Sequence, residues 1–209
     1  MDADKVFNIK VWSNPAAKYA AARVGSAELV KVKQRPGVYR MEGINGYTYY
    51  SLARSIELTE LKINGKTWMV CDPLHWYGMG EYMHQMRGRL LCAGLGLGLM
   101  VWWAAIDNEI NDRLTSITVY ENNPDVVALI KPLLPHIGNL PVKIVCDDFY
   151  SITPPQAKTY DSVLWDLAVG TRAETTEDIR SAMEASYKIY NHCPMGIFGL
   201  KIGGKPAIL

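Results

Sequence analysis

Past Gly88 the chain falls into short apolar runs, each stopped by a glycine or an acid, separated by longer stretches with helical character. Leu90, Leu91 and Cys92 predict a buried strand; Ile117, Val119 and Tyr120 a second; Val142, Ile144, Val145 and Cys146 a third; and Ser162–Leu167 a fourth. Leu99–Ile106 is an apolar helix after the first strand. After the fourth, Thr175 or Thr176 caps a helix with Glu177 and Asp178 in its first turn and Ile179, Met183, Ser186, Tyr187 and Tyr190 along one face. Gly196–Ile202 reads as a fifth strand, and Gly203-Gly204 turns the chain into a short last one, Lys205–Leu209. Strands that alternate with helices predict an α/β fold with a mainly parallel, Rossmann-like sheet and helices on both faces.

The first third has a different rhythm. Asn14 caps and Pro15 opens an expected helix over residues 14–24, and Arg35-Pro36-Gly37 marks a turn. Asn45-Gly46 and Asn64-Gly65 are two-residue hairpin turns, flanked by strand-like segments such as Tyr47–Tyr50 and Lys66–Val70. The expected organisation is an N-terminal helix and β-hairpin region, 1–70, followed by a Rossmann-like domain, 71–209.

Chemistry concentrates where the apolar runs stop. The stretch Arg89–Leu99 places Gly94, Gly96 and Gly98 at alternate positions in the first strand-to-helix turn, a GxGxG spacing and not the GxGxxG of dinucleotide sites. Bare backbone of this kind lets a ligand approach closely, or serves tight turning and helix packing; the pattern alone permits both. Glu121, 23 residues after Gly98, ends the second strand, Asp147 and Asp148 end the third, and Asp166 ends the fourth. In parallel sheets ligands bind at the carboxyl ends of the strands, so these positions are expected to converge on one crevice. No GxxxxGK[ST] segment is present, which argues against a triphosphate-cradling loop.

Over about residues 60–202 the segments CAGLGLG, VYENN, VCDDF and YDSVLWDL resemble the class I S-adenosylmethionine-dependent transferases. With LKINGKTWMV read as a preceding hairpin, the chain is similar within that class to the spermidine synthase-like branch. The resemblance implies that Gly94, Leu95, Gly96, Gly98, Glu121, Asn122, Asp147, Asp148 and Asp166 bind S-adenosylmethionine, or its decarboxylated form, with Glu121 on the ribose and Asp147 on the adenine amino group. A sulfonium cation without phosphate suits a site rich in carboxylates; a hydride-transferring dehydrogenase is the competing reading. Two departures bear on the reaction. The loop Asp166–Gly170 lacks the further acids of the polyamine synthases, and the glycine loop lacks the acid many members carry there. Methyl transfer to a small-molecule acceptor therefore ranks first, ahead of aminopropyl transfer and of a non-catalytic cofactor-binding protein.

Where an acceptor must lose a proton, Asp166 is the first candidate base and His75 the second. Asp166 is equally suited to hold the cofactor's amino group. Beside His75, Trp76, Tyr77 and Met79 either pack in the core or form an apolar lid over the transferred group, while Trp102 and Trp103 are expected in the core. The composition, 49% hydrophobic and 21% charged with net charge +1, is that of a globular chain and gives no electrostatic case for nucleic-acid binding. Cys71, Cys92, Cys146 and Cys193 lack CxxC spacing and read as structural thiols. The four histidines show no metal-ligand spacing, so no metal is expected. With neither a signal-like start nor a membrane-length apolar run, the expected location is cytoplasmic and off the membrane; a homodimer is in keeping with the resemblance.

Overall fold

The computed structural model describes residues 6–9, 12–43, 46–167, 176–202 and 205–209. In chain order, β1 (Val6–Ile9), β2 (Ala22–Val24), β3 (Ala27–Gln34), β4 (Gly37–Gly43), β5 (Gly46–Leu52), β6 (Ile56–Ile63) and β7 (Lys66–Val70) precede α1 (Pro73–Met83). Then come β8 (Gly88–Ala93), α2 (Leu99–Ile106), α3 (Asn108–Arg113), β9 (Leu114–Glu121), α4 (Pro124–Ile130), β10 (Val142–Cys146), α5 (Pro154–Ala157), β11 (Ser162–Trp165), α6 (Thr176–Tyr190), β12 (Met195–Ile202) and β13 (Lys205–Ile208).

Six strands form the main sheet in the order β10-β9-β8-β11-β12-β13, parallel except for β13. The order reverses at β8, where the chain moves outward first through β9 and β10 and then, on the other side, through β11 and β12. This is a Rossmann-like α/β fold. Central β8 is buried on both faces: Leu90, Leu91, Cys92 and Ala93 expose no surface, which is why it reads as an unbroken apolar run. Alternation then divides the two cores. Leu90, Cys92, Ile117, Val119 and Leu164 pack with residues of α1, α2 and α4, while Leu91, Ala93, Val163, Trp165, Met195 and Ile197 pack with Ala157 of α5 and Tyr190 of α6. The cap expected at Thr175 lies outside the described residues, as do the loop beyond Leu167 and the Gly203-Gly204 turn.

The first third builds two small sheets, β1-β5-β4 and β2-β3-β6-β7. Asn64 and Gly65 both have positive φ, 52° and 75°, the conformation an Asn-Gly hairpin turn requires, and join β6 to β7. The second expected hairpin is the antiparallel pair β4–β5; its turn residues 44 and 45 lie outside the described residues.

The helix expected over 14–24 is not there. Asn14 does cap, its Oδ1 accepting from Ala16 N–H at 2.9 Å, but only a 3-10 turn, Pro15–Lys18, follows. Ala22–Val24 instead pairs antiparallel with β3, and Tyr19 is buried with its hydroxyl donating to the Leu97 carbonyl at 3.2 Å. Long-range pairing overrides the local helical preference.

One apolar cluster runs from Ile9, Leu29 and Leu61 through Trp76 and Leu90 to Leu164. Asp125, in the first turn of α4, accepts from both the backbone N–H and the hydroxyl of Ser26, each at 2.7 Å, which fastens the β2–β3 turn to the main sheet.

Candidate functional site

Strand register assembles the site. Ala93 stands opposite both Trp165 and Tyr120, and Glu121 opposite Cys146. At the carboxyl edge the chain therefore sets out Asp147, Glu121, Gly94 and Asp166 in a row, on four strands about 4.8 Å apart.

Gly94 and Gly96 are explained by this chain's own packing. Gly94 has φ 89°, donates its N–H to the Tyr120 carbonyl at 2.8 Å, and a Cβ there would lie 2.6 Å from the Asp166 carbonyl oxygen. At Gly96, φ 50°, a Cβ would meet the sulfur of Met69 at 2.7 Å. A side chain at either position would be strained by its φ and would collide as well. Gly98 precedes α2 and lies against Leu134. Leu95 and Leu97 are buried beneath the turn.

Glu121 ties the turn to β9. One carboxylate oxygen accepts from Leu95 N–H and the other from Asn123 N–H, both at 3.0 Å. A carboxylate offers about four lone-pair directions, so two remain for further donors such as sugar hydroxyls. Asn122, between these partners, is exposed. Asp147 is exposed and accepts from Asp148 N–H at 2.8 Å and from the Ser151 hydroxyl at 3.1 Å, which likewise leaves acceptor capacity. Asp148 caps the short turn Phe149–Ser151, accepting from Tyr150 N–H at 2.9 Å.

Burial, then the Tyr160 and Asp147 charges, raise the Tyr120 hydroxyl above its ordinary value. Asp166 lies on the α1 side, where burial and then its charge raise the Cys92 thiol.

On the α1 side the two candidate bases are near enough to feel each other's charge, joined by an acid the sequence reading had not marked. Asp72 caps α1: its Oδ1 accepts from Leu74 N–H at 2.8 Å and His75 N–H at 3.0 Å, and its Oδ2 lies 3.1 Å from His75 Nδ1. The His75 ring stacks on Phe198 at 5.9 Å between centroids and keeps 24% of its side chain exposed, enough for a proton to be exchanged. Burial disfavours the charged imidazole, but the Asp72 and Asp166 carboxylates outweigh it and hold the His75 pKa above its ordinary value. Burial likewise opposes the Asp72 charge and is outweighed by the His75 cation and the two amides, so Asp72 stays below the usual carboxylate range. For Asp166 burial wins: its carboxyl is pushed up to about 6, with the His75 cation acting against the rise.

Asp72 had a legible signal in the sequence, an aspartate directly before Pro73 at a helix start. Met69 and Tyr19, which pack on the glycine turn from the first third, had none. The lid reading is corrected for two residues: Trp76 and Met79 are buried, and Trp76 stacks on Trp103 at 4.6 Å while its carbonyl accepts from Trp103 Nε1 at 2.7 Å. Amphipathic helix packing claims them. Trp102 and Trp103 are partly buried against the same core.

No family model matches the chain, and no curated protein matches it. Among solved structures the chain is similar to that of MNMC2 from Aquifex aeolicus, at 16% identity and a TM-score of 0.28, over 63% of this chain and 49% of the other. The match thus spans about half the length of that protein, and function has to be argued from the chemistry of this site. Among the described residues no helix is long and apolar enough to cross a membrane.

Proposed function

We propose that this chain is a class I S-adenosylmethionine-dependent transferase that methylates an amine or hydroxyl of a small-molecule acceptor, with Asp166 as the base. The observation that carries the reading is the Glu121 carboxylate bound to Leu95 N–H of the glycine turn after β8, the strand that stands between β9 and β11, with an aspartate whose carboxyl is pushed up to about 6 at the end of β11. The residues fit such a cofactor: Glu121 has acceptor capacity left for ribose hydroxyls, Asp147 has it for the adenine amino group, and Asp166 brings negative charge to the edge. The cofactor would supply a methyl group on a positively charged sulfur: as the acceptor's lone pair bonds to that carbon, the carbon–sulfur bond would break and its electron pair return to sulfur, leaving a neutral thioether. Asp166 takes the proton the acceptor gives up, and a base with a pKa near 6 can both accept it and release it near neutral pH. His75, a cation at the same edge, keeps that base ionised.

Within this proposal aminopropyl transfer from decarboxylated S-adenosylmethionine, the reaction of the spermidine synthase-like branch, is the second reading. It is favoured by the β-rich first third, which packs on the glycine turn through Met69 and Tyr19. Calorimetric titration with S-adenosylmethionine tests cofactor binding: Glu121→Ala is expected to weaken it at least tenfold, as loss of hydrogen bonds to a charged group does. The proposal fails if the unaltered protein binds neither the cofactor nor its products. Incubation with candidate acceptors separates the reactions, since S-adenosylhomocysteine marks methyl transfer and methylthioadenosine aminopropyl transfer. Binding without either product marks a non-catalytic protein.

A further inference from the structure

We propose that Asp72 is a positioning residue for the candidate base: its carboxylate holds the His75 ring at Nδ1 as the cation whose charge acts on Asp166. The inference rests on Asp166 as the base of the proposed transfer and concerns how that base is kept ionised. Asp72 does two things with one carboxylate. Through Oδ1 it takes both amides of the first turn of α1, which tethers the carboxylate to the helix that carries His75; through Oδ2 it takes the proton on His75 Nδ1. With Phe198 stacked on the ring, rotation of the imidazole would forfeit a charge-assisted hydrogen bond and an aromatic contact together.

Two carboxylates act on His75. Asp72 faces it from the approach to α1 and Asp166 from the end of β11. Phe198, from β12, brings a ring and no charge. Behind Asp72 stands Tyr50 of β5, whose hydroxyl donates to Gln34 Oε1 at 2.8 Å and is kept protonated by burial and by the Asp72 charge. Behind Asp166 stands Cys92 of β8, a buried thiol kept protonated by burial and by Asp166. Remove the Asp72 charge and the partly buried imidazole gives up its proton more readily; Asp166 then loses the cation that opposes its own burial.

Proton titration by NMR on the full chain without cofactor tests this. The His75 ring signal is identified by its loss in His75→Gln, and the 13C-labelled Asp166 carboxyl by its loss in Asp166→Asn. Asparagine also caps helices, so Asp72→Asn removes the charge and keeps the cap; Asp72→Ser serves if that variant does not fold. The expected result is a fall in the His75 midpoint by about one pH unit, tenfold in the protonated-to-neutral ratio, with a rise in the Asp166 midpoint. In a His75→Gln background, Asp72→Asn no longer raises it. A direct effect of Asp72 on Asp166 has the opposite sign, because one negative charge raises the pKa of another. Unchanged midpoints in Asp72→Asn, or a rise at Asp166 that survives the loss of His75, overturns the proposal. With no cofactor present, its failure is distinct from failure of the transferase reading.

Discussion

Four residues of β11 separate two aspartates that the fold treats in opposite ways. At the amino end, Asp161 takes the Arg89 guanidinium in two parallel hydrogen bonds, Nε to Oδ2 at 2.9 Å and Nη2 to Oδ1 at 3.0 Å, and accepts Arg89 N–H at 2.8 Å. Its carboxyl is pushed down to about 2 by these bonds. At the carboxyl end, Asp166 is pushed up to about 6 by burial, with His75 the restraining charge. An exposed, fully partnered carboxylate is a clamp that stays ionised at any ordinary pH. A desolvated one that shares a cation with Asp72 can change its protonation state where enzymes work. The sheet thus keeps a salt-bridged aspartate at one edge and a desolvated one at the other.

The comparison breaks most sharply at Asp166. Asp166→Asn is expected to lower any transfer rate by about 100-fold or more, the usual worth of a positioned base, measured as S-adenosylhomocysteine formed per minute. In the unaltered protein the rate should rise with pH through about 6, as Asp166 ionises. Stability runs the other way. The folded pKa of Asp166 lies above its unfolded value, so its contribution is fully present below about 4 and is lost as pH rises through about 6, by up to roughly 3 kcal/mol for two pKa units. Urea melts across that window should show a decline that Asp166→Asn flattens.

Gly94→Ala comes next. It forces an alanine to φ 89° and against the Asp166 carbonyl, and is expected to cost about 2 kcal/mol in urea melts. A protein as stable as the unaltered one would show that the turn is not tied to β11 as described.

The smallest effect belongs to the opposite edge. Arg89→Met should move the melting temperature by only about 1–3 °C, less at high salt, because the pair is exposed. It should leave the rate untouched. The Asp161 contribution is present above about 4 and is lost as pH falls through about 2, the reverse of Asp166. A rate lost on breaking Arg89–Asp161 would end the division between the two edges.

Much of this was legible beforehand, for local reasons. Apolar runs ending in Gly94, Glu121, Asp147 and Asp166 marked four strand tips, and parallel pairing brings strand tips to one edge whatever the loops between them do. The Asn64-Gly65 hairpin was legible because its turn demands those residue types. The helix expected at 14–24 failed because β3 competed for Ala22–Val24 and the glycine turn for Tyr19, partners that no local window contains. Trp76 and Met79 carried no mark that distinguished a lid from a core.

Hydrophobic periodicity and turn chemistry along the sequence therefore determined the strands of the main sheet, their order of appearance and the acids at their tips, since each depends on neighbours a few residues away. Only the tertiary structure decided that Asp72 reaches His75, and that of the two aspartates flanking β11 Asp166 is pushed up and Asp161 down. Desolvation and Coulomb interaction depend on distance through space, and Asp72 and Asp166, some ninety residues apart along the chain, act on one imidazole only once the sheet has closed.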